Sequence, residues 1–592
     1  MTDLGGFPPL RAWQRRALVE YLRRRDEDFL AVATPGAGKT TFALRIAAEL
    51  LADRTVEALT VVTPTEHLKG QWAAAAGVVG IQLDAAFRNA DVHSSADFDG
   101  AVVTYAQVGA APQVHRRRTL IRRTLVILDE IHHAGDSRSW GDGVQVAFEP
   151  AVRRLMLTGT PFRSDANPIP FVTYERGADG LRRSRADSTY GYAEALRDGV
   201  VRPVIFLAYS GETRWRTSAG DELAARLGEP MTQDLVAQAW RTALDPAGDW
   251  MPQVLRAADA RLSVLREGGM PDAGGLVIAS DQQAARAYAR LLEKIMAESA
   301  ARGAAGRGAA GRGAAGRGAP AVGEKPVVAL SDDPGSSGRI AAFAASGQRW
   351  LVAVRMVSEG VDIPRLAVGV YATSASTPLY FAQAIGRFVR ARRPDETASV
   401  FLPSVAHLLE LASDMEVDRD HVLAERGQDG FDDESLERAA RAEGASEELE
   451  KQFEALSATA ELDQVIFDGT SFGAPVRAGT PEEEEYLGLP GLLTPEQVAT
   501  LLAKRQAEQV AAERQRRSGA PETPRQSAPR TAGERRILLR RQLNTLVAAH
   551  HHRTGLPHGK IHAELRRICG GPPSAQATIE QLQERIAAVK SL

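Results

Sequence analysis

The chain has 592 residues, of which 44% are apolar and 25% charged, with a net charge of −3. This length exceeds what one hydrophobic core serves and implies three or four domains, and the composition is that of an ordinary soluble globular protein. A near-neutral balance excludes a globally basic nucleic-acid binder, so any such surface has to be local. The single cysteine, Cys569, excludes an internal disulfide and fits a reducing compartment. The N-terminal segment has no apolar core of signal-peptide length, and no run of about 18 apolar residues occurs anywhere, so the chain reads as cytoplasmic with no membrane contact.

Short apolar runs alternate with amphipathic stretches over residues 1–200: FLAVAT (29–34), ALTVVTP (58–64), GAVVTY (100–105), TLVILDE (124–130) and RRLMLTGTP (153–161). Each ends in polar or turn residues, as strands buried on both faces do. Helical patterns such as Thr40–Leu51 lie between them. The rhythm predicts an α/β doubly wound parallel sheet whose ligands sit beyond the carboxyl ends of the strands. It resumes with GLVIAS (275–280), PVVALS (326–331), WLVAV (350–354) and RLAVGVYA (365–372), predicting a second α/β domain over 201–410, joined through DGVVRP (198–203).

Within that second domain, 210–270 reads as a mostly helical insertion. The five-residue repeat RGAAG across 302–319 reads as a flexible loop, too poor in bulky apolar side chains to offset its ordering entropy. A helical extension is expected over 411–517. It holds 14 acidic against 4 basic residues within 414–450, and Thr494, Pro495 and Gln497 form a capping box. A Pro/Ser/Arg linker (518–531) leads to a small basic helical module (532–592), and residues 511–541 carry nine Arg against three Glu.

Two stretches carry chemistry. ATPGAGKT, Ala33–Thr40, departs from the phosphate-loop pattern G-x-x-x-x-G-K-S/T only at Ala33, and it follows a strand and opens a helix. Gly36 and Gly38 let backbone N–H groups approach phosphates beside the positive end of the helix. Lys39 reaches the β- and γ-phosphates and the Thr40 hydroxyl ligates Mg²⁺, so Pro35, Gly36, Ala37, Gly38, Lys39, Thr40 and Thr41 form the expected ATP cradle. VILDEIHH (126–133) delivers two adjacent carboxylates to a strand end, where Asp129 holds Mg²⁺ and Glu130 orients and deprotonates the attacking water.

With these in place, Asp129-Glu130-Ile131-His132 resembles the D-E-x-H signature of superfamily 2 helicases and translocases, and further motifs of that superfamily follow in order over about residues 8–400. The resemblance implies two tandem RecA-like domains followed by a mostly helical extension. LRAWQ (10–14) resembles the adenine-reading motif, with Gln14 as the base contact. VVTPTEHL (61–68), VVTYAQV (102–108) and GLVIAS resemble motifs that grip a nucleic-acid backbone, which implicates Pro64, Thr65, Thr104 and Ser280. LTGTP (157–161) resembles the coupling motif, with Thr158 and Thr160, to which His132 and Gln383 are joined. RMVSEGVDIPRL (355–366) supplies Gly360 and Asp362. QAIGRFVRAR (383–392) resembles the arginine-finger motif, with Arg387 and Arg390 three apart on what reads as one helical face.

The resemblance implies an ATP-dependent DNA helicase or translocase, DNA being favoured over RNA because TGT and GVDIP match the DEAH-like and restriction-motor branches. An RNA helicase, and a nucleotide-switched binding subunit of a restriction, defence or repair complex, stay open as alternatives. So does a protein partner for the C-terminal extension. Five histidines within 550–562, with Cys569, suggest zinc, His558 and His562 being spaced for one helical face. The spacings match no standard zinc pattern, and a basic helical module is preferred.

Overall fold

The computed structural model describes residues 7–91, 97–135, 138–159, 169–176, 182–217, 222–309, 320–321, 323–330, 333, 335–354, 363–413, 422–423, 453–468, 470–473 and 475–518, and then 539, 543, 546–547, 558–570 and 578–591. They fall into two compact units, Met1–Ala511 and Ala512–Leu592.

The larger unit opens on the sheet that the apolar runs predict. Its strands are β1 (Asp28–Ala33), β2 (Ala58–Thr63), β3 (Leu83–Asp84), β4 (Gly100–Thr104), β5 (Thr124–Leu128), β6 (Arg153–Thr158) and, after a small hairpin of β7 (Tyr174–Arg176) and β8 (Arg182–Ser184), β9 (Ser188–Tyr190). They order β3-β4-β2-β5-β6-β1-β9, all parallel. Successive residues of β5 serve different cores, Leu125 and Ile127 on one face, Val126 and Leu128 on the other. Cover on both faces explains why these strands read as unbroken apolar runs. The order also makes β5, β6 and β1 neighbours, so the residues that follow them meet at one carboxyl edge.

The second sheet has eleven strands. Its parallel part orders β13 (Val327–Ala329), β14 (Trp350–Val354), β12 (Gly274–Ala279), β15 (Leu366–Ala372), β16 (Ala398–Pro403) and β10 (Val204–Thr217). Here the sequence reading needs correction twice. The segment 210–270 begins as strand, not helix: β10 runs on to Thr217 and turns back antiparallel as β11 (Glu222–Leu227), before the helices Gln233–Ala243 and Trp250–Glu267. The alternation that marks it is in the sequence, with Gly211, Thr213 and Trp215 buried and Glu212, Arg214 and Arg216 exposed.

The extension 411–517 is likewise part strand. β18 (Phe453–Ala458) and β19 (Glu461–Phe467) both pair antiparallel with β10, and β20 (Thr470–Phe472) and β21 (Val476–Arg477) pair with β19. Within 414–450 only Val422–Leu423 is described, as β17, antiparallel to β8. The repeat also differs from expectation at its start, because the helix Gln282–Ala309 continues into it. Ala and Arg are strong helix formers and offset the glycines there, while 310–319 lies outside the described residues. The expected capping box is present: Thr494 N–H donates to Gln497 Oε1 at 2.9 Å, Gln497 N–H donates to Thr494 Oγ1 at 3.3 Å, and the helix Pro495–Ser518 follows.

In the smaller unit the helices His558–Cys569 and Ile579–Ser591 share a core of Leu543, Val547, Ile561, Leu565, Leu582 and Ile586. His558 and His562 lie on the first of these helices with Cys569 at its end, and His550, His551 and His552 lie outside the described residues.

Arg202, just before β10, ties the second sheet together and is 1% exposed. Its Nε donates to the Phe388 carbonyl at 2.7 Å and its Nη1 to Glu396 Oε2 at 3.2 Å, and its Nη2 reaches the Leu366 carbonyl. Arg202→Met would remove the fully buried partner of Glu396, which keeps the less buried Arg392 at 3.3 Å, and would take this donor from the Phe388 and Leu366 carbonyls. Breaking such a pair costs about 3–5 kcal/mol. We expect a loss of that size in denaturant unfolding of the full chain, far above the roughly 0.5 kcal/mol of a neutral surface change.

Candidate nucleotide site

The loop Thr34–Gly38 joins β1 to the helix Lys39–Ala52. Gly36 and Gly38 hold φ of 83° and 88°, left-handed backbone that strains any residue with a Cβ, and a Cβ on Gly38 would stand 2.8 Å from Gln14 Nε2. Ala33 is still in β1, its side chain fully buried, so its methyl packs in the core and never enters the cradle.

Three side chains of one short segment grip three consecutive carbonyls of the loop. Arg11 Nη1 donates to Gly36 at 2.7 Å, Trp13 Nε1 to Ala37 at 3.0 Å and Gln14 Nε2 to Gly38 at 2.9 Å. Gln14, read from sequence as a base contact, is 2% exposed and holds the loop in this state. Arg11 and Trp13 were not singled out by the sequence reading. Pro35, Thr40 and Thr41 are half-buried around the loop and the first helical turn.

Opposite lies the carboxylate pair after β5. Lys39 Nζ is 2.9 Å from Glu130 Oε1 and 3.2 Å from the Ala33 carbonyl oxygen, while Glu130 Oε2 accepts the Gly159 N–H at 3.0 Å. Glu130 has a φ of 47°, a strained value for a residue with a side chain and one that concentrates at functional sites. Desolvation raises Asp129 to about 6, with the neighbouring Glu130 charge adding to it. Desolvation would raise Glu130 too, yet the Lys39 ammonium, by charge and hydrogen bond, and the Gly159 N–H outweigh it and hold that carboxyl well below its usual range. Of the two carboxyls, Glu130 is therefore the one that ionises first, beside Lys39.

Asp129 is fixed from two sides. Its Oδ2 accepts from Trp72 Nε1 at 2.8 Å, and its carbonyl accepts from the Tyr105 hydroxyl at 2.9 Å. The residues fit a metal–triphosphate: Thr40 and Asp129 offer the hard oxygen donors that Mg²⁺ takes. A Cβ added at Gly159 would crowd Lys39 Nζ at 2.9 Å, so the cradle tolerates little added bulk.

The second sheet reaches this edge through Gln383–Arg390. A Cβ on Gly386 would stand 2.9 Å from Pro35 Cγ, and one on Gly36 would stand 3.2 Å from Arg390 Cγ. Arg390 therefore lies against the phosphate loop. The route differs from the one expected. The helix Pro378–Ile385 ends at the cap Gly386, Arg387 sits in the following turn, and Arg390 forms a bridge with Val201. The two arginines do not share a helical face. Buried Phe388 and Val389 draw the chain into the core between them.

Gln383 links the halves. Its Nε2 lies 3.3 Å from His132 Nε2, and His132 Nδ1 lies 2.9 Å from Thr158 Oγ1. An amide nitrogen only donates, so with the amide oriented this way His132 Nε2 accepts and Nδ1 carries the proton, facing Thr158. Thr160, Gly360 and Asp362 lie outside the described residues.

The residues expected to touch a polynucleotide line the carboxyl ends of β2, β4 and β12. Pro64 and Thr65 are half-buried, Thr65 as N-cap of the helix Glu66–Val78, and Ser280 is half-buried after β12. Thr104 is 6% exposed and also caps the helix Tyr105–Ala110, its Oγ1 accepting the Gln107 N–H at 3.1 Å, a role that leaves the hydroxyl hydrogen to donate. Among the described residues no helix is long and apolar enough to cross a membrane, and no group of three or more metal-ligating side chains occurs.

Residues 8–163 match the family model described as "Type III restriction enzyme, res subunit". The chain is 58% identical over 589 residues to "Uncharacterized protein MT2985" of Mycobacterium tuberculosis (strain CDC 1551 / Oshkosh), covering 99% of this chain and 93% of that one. It is 56% identical over 590 residues to "Uncharacterized protein ML1624" of Mycobacterium leprae (strain TN), covering 99% and 94%. Two solved structures bear a more distant likeness. The ATP-dependent Type ISP restriction-modification enzyme LlaBIII bound to DNA aligns at a TM-score of 0.44 and 16% identity, over 67% of this chain and only 28% of its own. Dbp5 of S. cerevisiae bound to RNA and ADP BeF3 aligns at 0.41 and 14%, over 73% and 92%. The chain belongs to the family of these mycobacterial proteins and carries, over residues 8–163, the superfamily 2 helicase-type domain of the restriction-subunit model.

Proposed function

We propose that the chain is an ATP-driven motor on nucleic acid, with DNA the favoured polymer. The observation that carries this reading is Arg390 of the second sheet lying against Gly36 of the phosphate loop, across from the Lys39–Glu130 pair. The amides of Gly36–Thr40 and Lys39 hold the triphosphate, and Thr40 and Asp129 hold Mg²⁺, which when bound neutralises phosphate charge. The rest falls to the chain itself. Glu130, released from Lys39, accepts the proton of the attacking water. Arg390, with Arg387, stabilises charge that develops in the transition state, and only while the two sheets are closed on each other. His132, between Thr158 and Gln383, carries the state of the site to the second sheet.

The type III restriction subunit match supports DNA over RNA. The unit Ala512–Leu592, entered through the Arg-rich residues 511–541, is proposed to add a salt-dependent grip. The test is ATP hydrolysis with single-stranded, duplex and forked DNA and with RNA. DNA is expected to raise the rate at least about tenfold, the change given by 1.36 kcal/mol off the barrier. Stimulation by RNA alone would reassign the polymer, and none by any strand would remove the motor reading.

A further inference from the structure

Two side chains with no expected role in nucleotide or strand contact converge on Asp129. Trp72 lies in the helix Glu66–Val78, whose N-cap is Thr65, and it is 2% exposed with its indole N–H on Asp129 Oδ2 at 2.8 Å. Tyr105, fully buried, opens the helix that Thr104 caps, and its hydroxyl is 2.9 Å from the Asp129 carbonyl oxygen. Both helices start at the carboxyl ends of strands that flank β5's side of the sheet, β2 beside it and β4 next along. One donor therefore sits seven residues down a rigid helix from Thr65, about 10 Å at 1.5 Å per residue. The other sits directly after Thr104.

We infer that Trp72 and Tyr105 are positioning residues that couple polynucleotide contact at the β2 and β4 ends to the Mg²⁺-holding carboxylate of Asp129. This rests on the motor reading above. A helix moves as a unit, so a strand engaging Pro64 and Thr65 displaces the indole at its far side. The indole fixes how the Asp129 carboxylate is turned, and the phenol fixes the backbone from which that carboxylate hangs. Two donors on one residue give the coupling a side-chain arm and a main-chain arm. Neither reacts with anything. Packing alone explains a buried Trp or Tyr ring, but it does not require both polar atoms to end on the same acidic residue.

The test uses the full chain with Trp72→Phe, Tyr105→Phe and the double variant, each keeping a ring and removing a donor. The readout is the affinity for a fluorescent ATP analogue with Mg²⁺, measured with and without DNA, and the reciprocal affinity for a labelled DNA strand with and without that nucleotide. Linkage requires the two ratios to agree. The unaltered protein is expected to show a ratio of at least about tenfold, within the 5–150-fold range usual for coupled sites. Each single variant should lower it about threefold, and the double variant should bring it close to one while its unfolding midpoint stays near that of the parent. Folded variants that keep the parent ratio overturn the relay and leave the motor reading standing. A parent ratio of one likewise overturns the relay, while the motor reading is decided separately by the hydrolysis rates with and without DNA. Should Trp72→Phe not fold, Tyr105→Phe decides alone by the same ratio.

Discussion

Arg390→Ala is expected to lower the rate of DNA-stimulated ATP hydrolysis by about 10³-fold or more, the range an arginine finger supplies, while nucleotide affinity changes only about threefold. The reasoning starts from position. The Arg390 side chain belongs to the second sheet but lies against Gly36, so close that a Cβ there would stand 3.2 Å from its Cγ. Its backbone is held separately, by the bridge to Val201 and by Arg202 on the Phe388 carbonyl. Truncation at Cβ thus removes the guanidinium and leaves the turn in place. A charge that acts in the transition state should show in kcat and hardly in binding. Arg390→Lys should recover little, since an ammonium lacks the planar fork that spans two phosphate oxygens. Steady-state rates at saturating ATP, beside nucleotide binding, check this. A drop under about threefold would place the catalytic charge elsewhere.

Glu130→Gln should be equally damaging by a different route, with a loss of about 10²–10⁴-fold from removal of a general base. The amide keeps the shape of the side chain and can still accept the Gly159 N–H that Glu130 accepts at 3.0 Å. It gives up the proton-accepting charge and the ion pair with Lys39 at 2.9 Å. Lys39 is then no longer held by a competing anion, so nucleotide affinity should stay level or tighten several-fold. Lys39→Ala must behave differently and lose binding together with turnover. Measured side by side, rate and affinity separate the two roles. Loss of affinity in Glu130→Gln would contradict the assignment.

Much of this arrangement is written locally and was readable in the sequence. Runs such as TLVIL announce strands covered on both faces, and Gly36 and Gly38 announce left-handed backbone before a helix. The misreadings also have identifiable causes. The three-residue spacing of Arg387 and Arg390 imitates a helical face, but Gly386 caps the helix and Phe388 and Val389 are pulled into the core. Thr104 carries a second role legible in the T-x-x-Q spacing to Gln107, a capping-box signature. Trp72 and Tyr105 gave no local signal of their use. A Trp in an amphipathic helix reads as core, and only the order β4-β2-β5 brings both rings beside Asp129. β18 and β19 were missed for the same reason, because their partner β10 lies more than 200 residues upstream.

The hold of Arg11, Trp13 and Gln14 on three successive loop carbonyls has a practical corollary. The shape of the nucleotide cradle depends on a stretch preceding β1 that contains none of the reacting groups. A protease cut after Gln14, or an expression start placed at the first strand, would leave Lys39, Asp129, Glu130, Arg387 and Arg390 in the chain and remove all three grips on the loop. Any shortened form of this protein should therefore keep Arg11, Trp13 and Gln14.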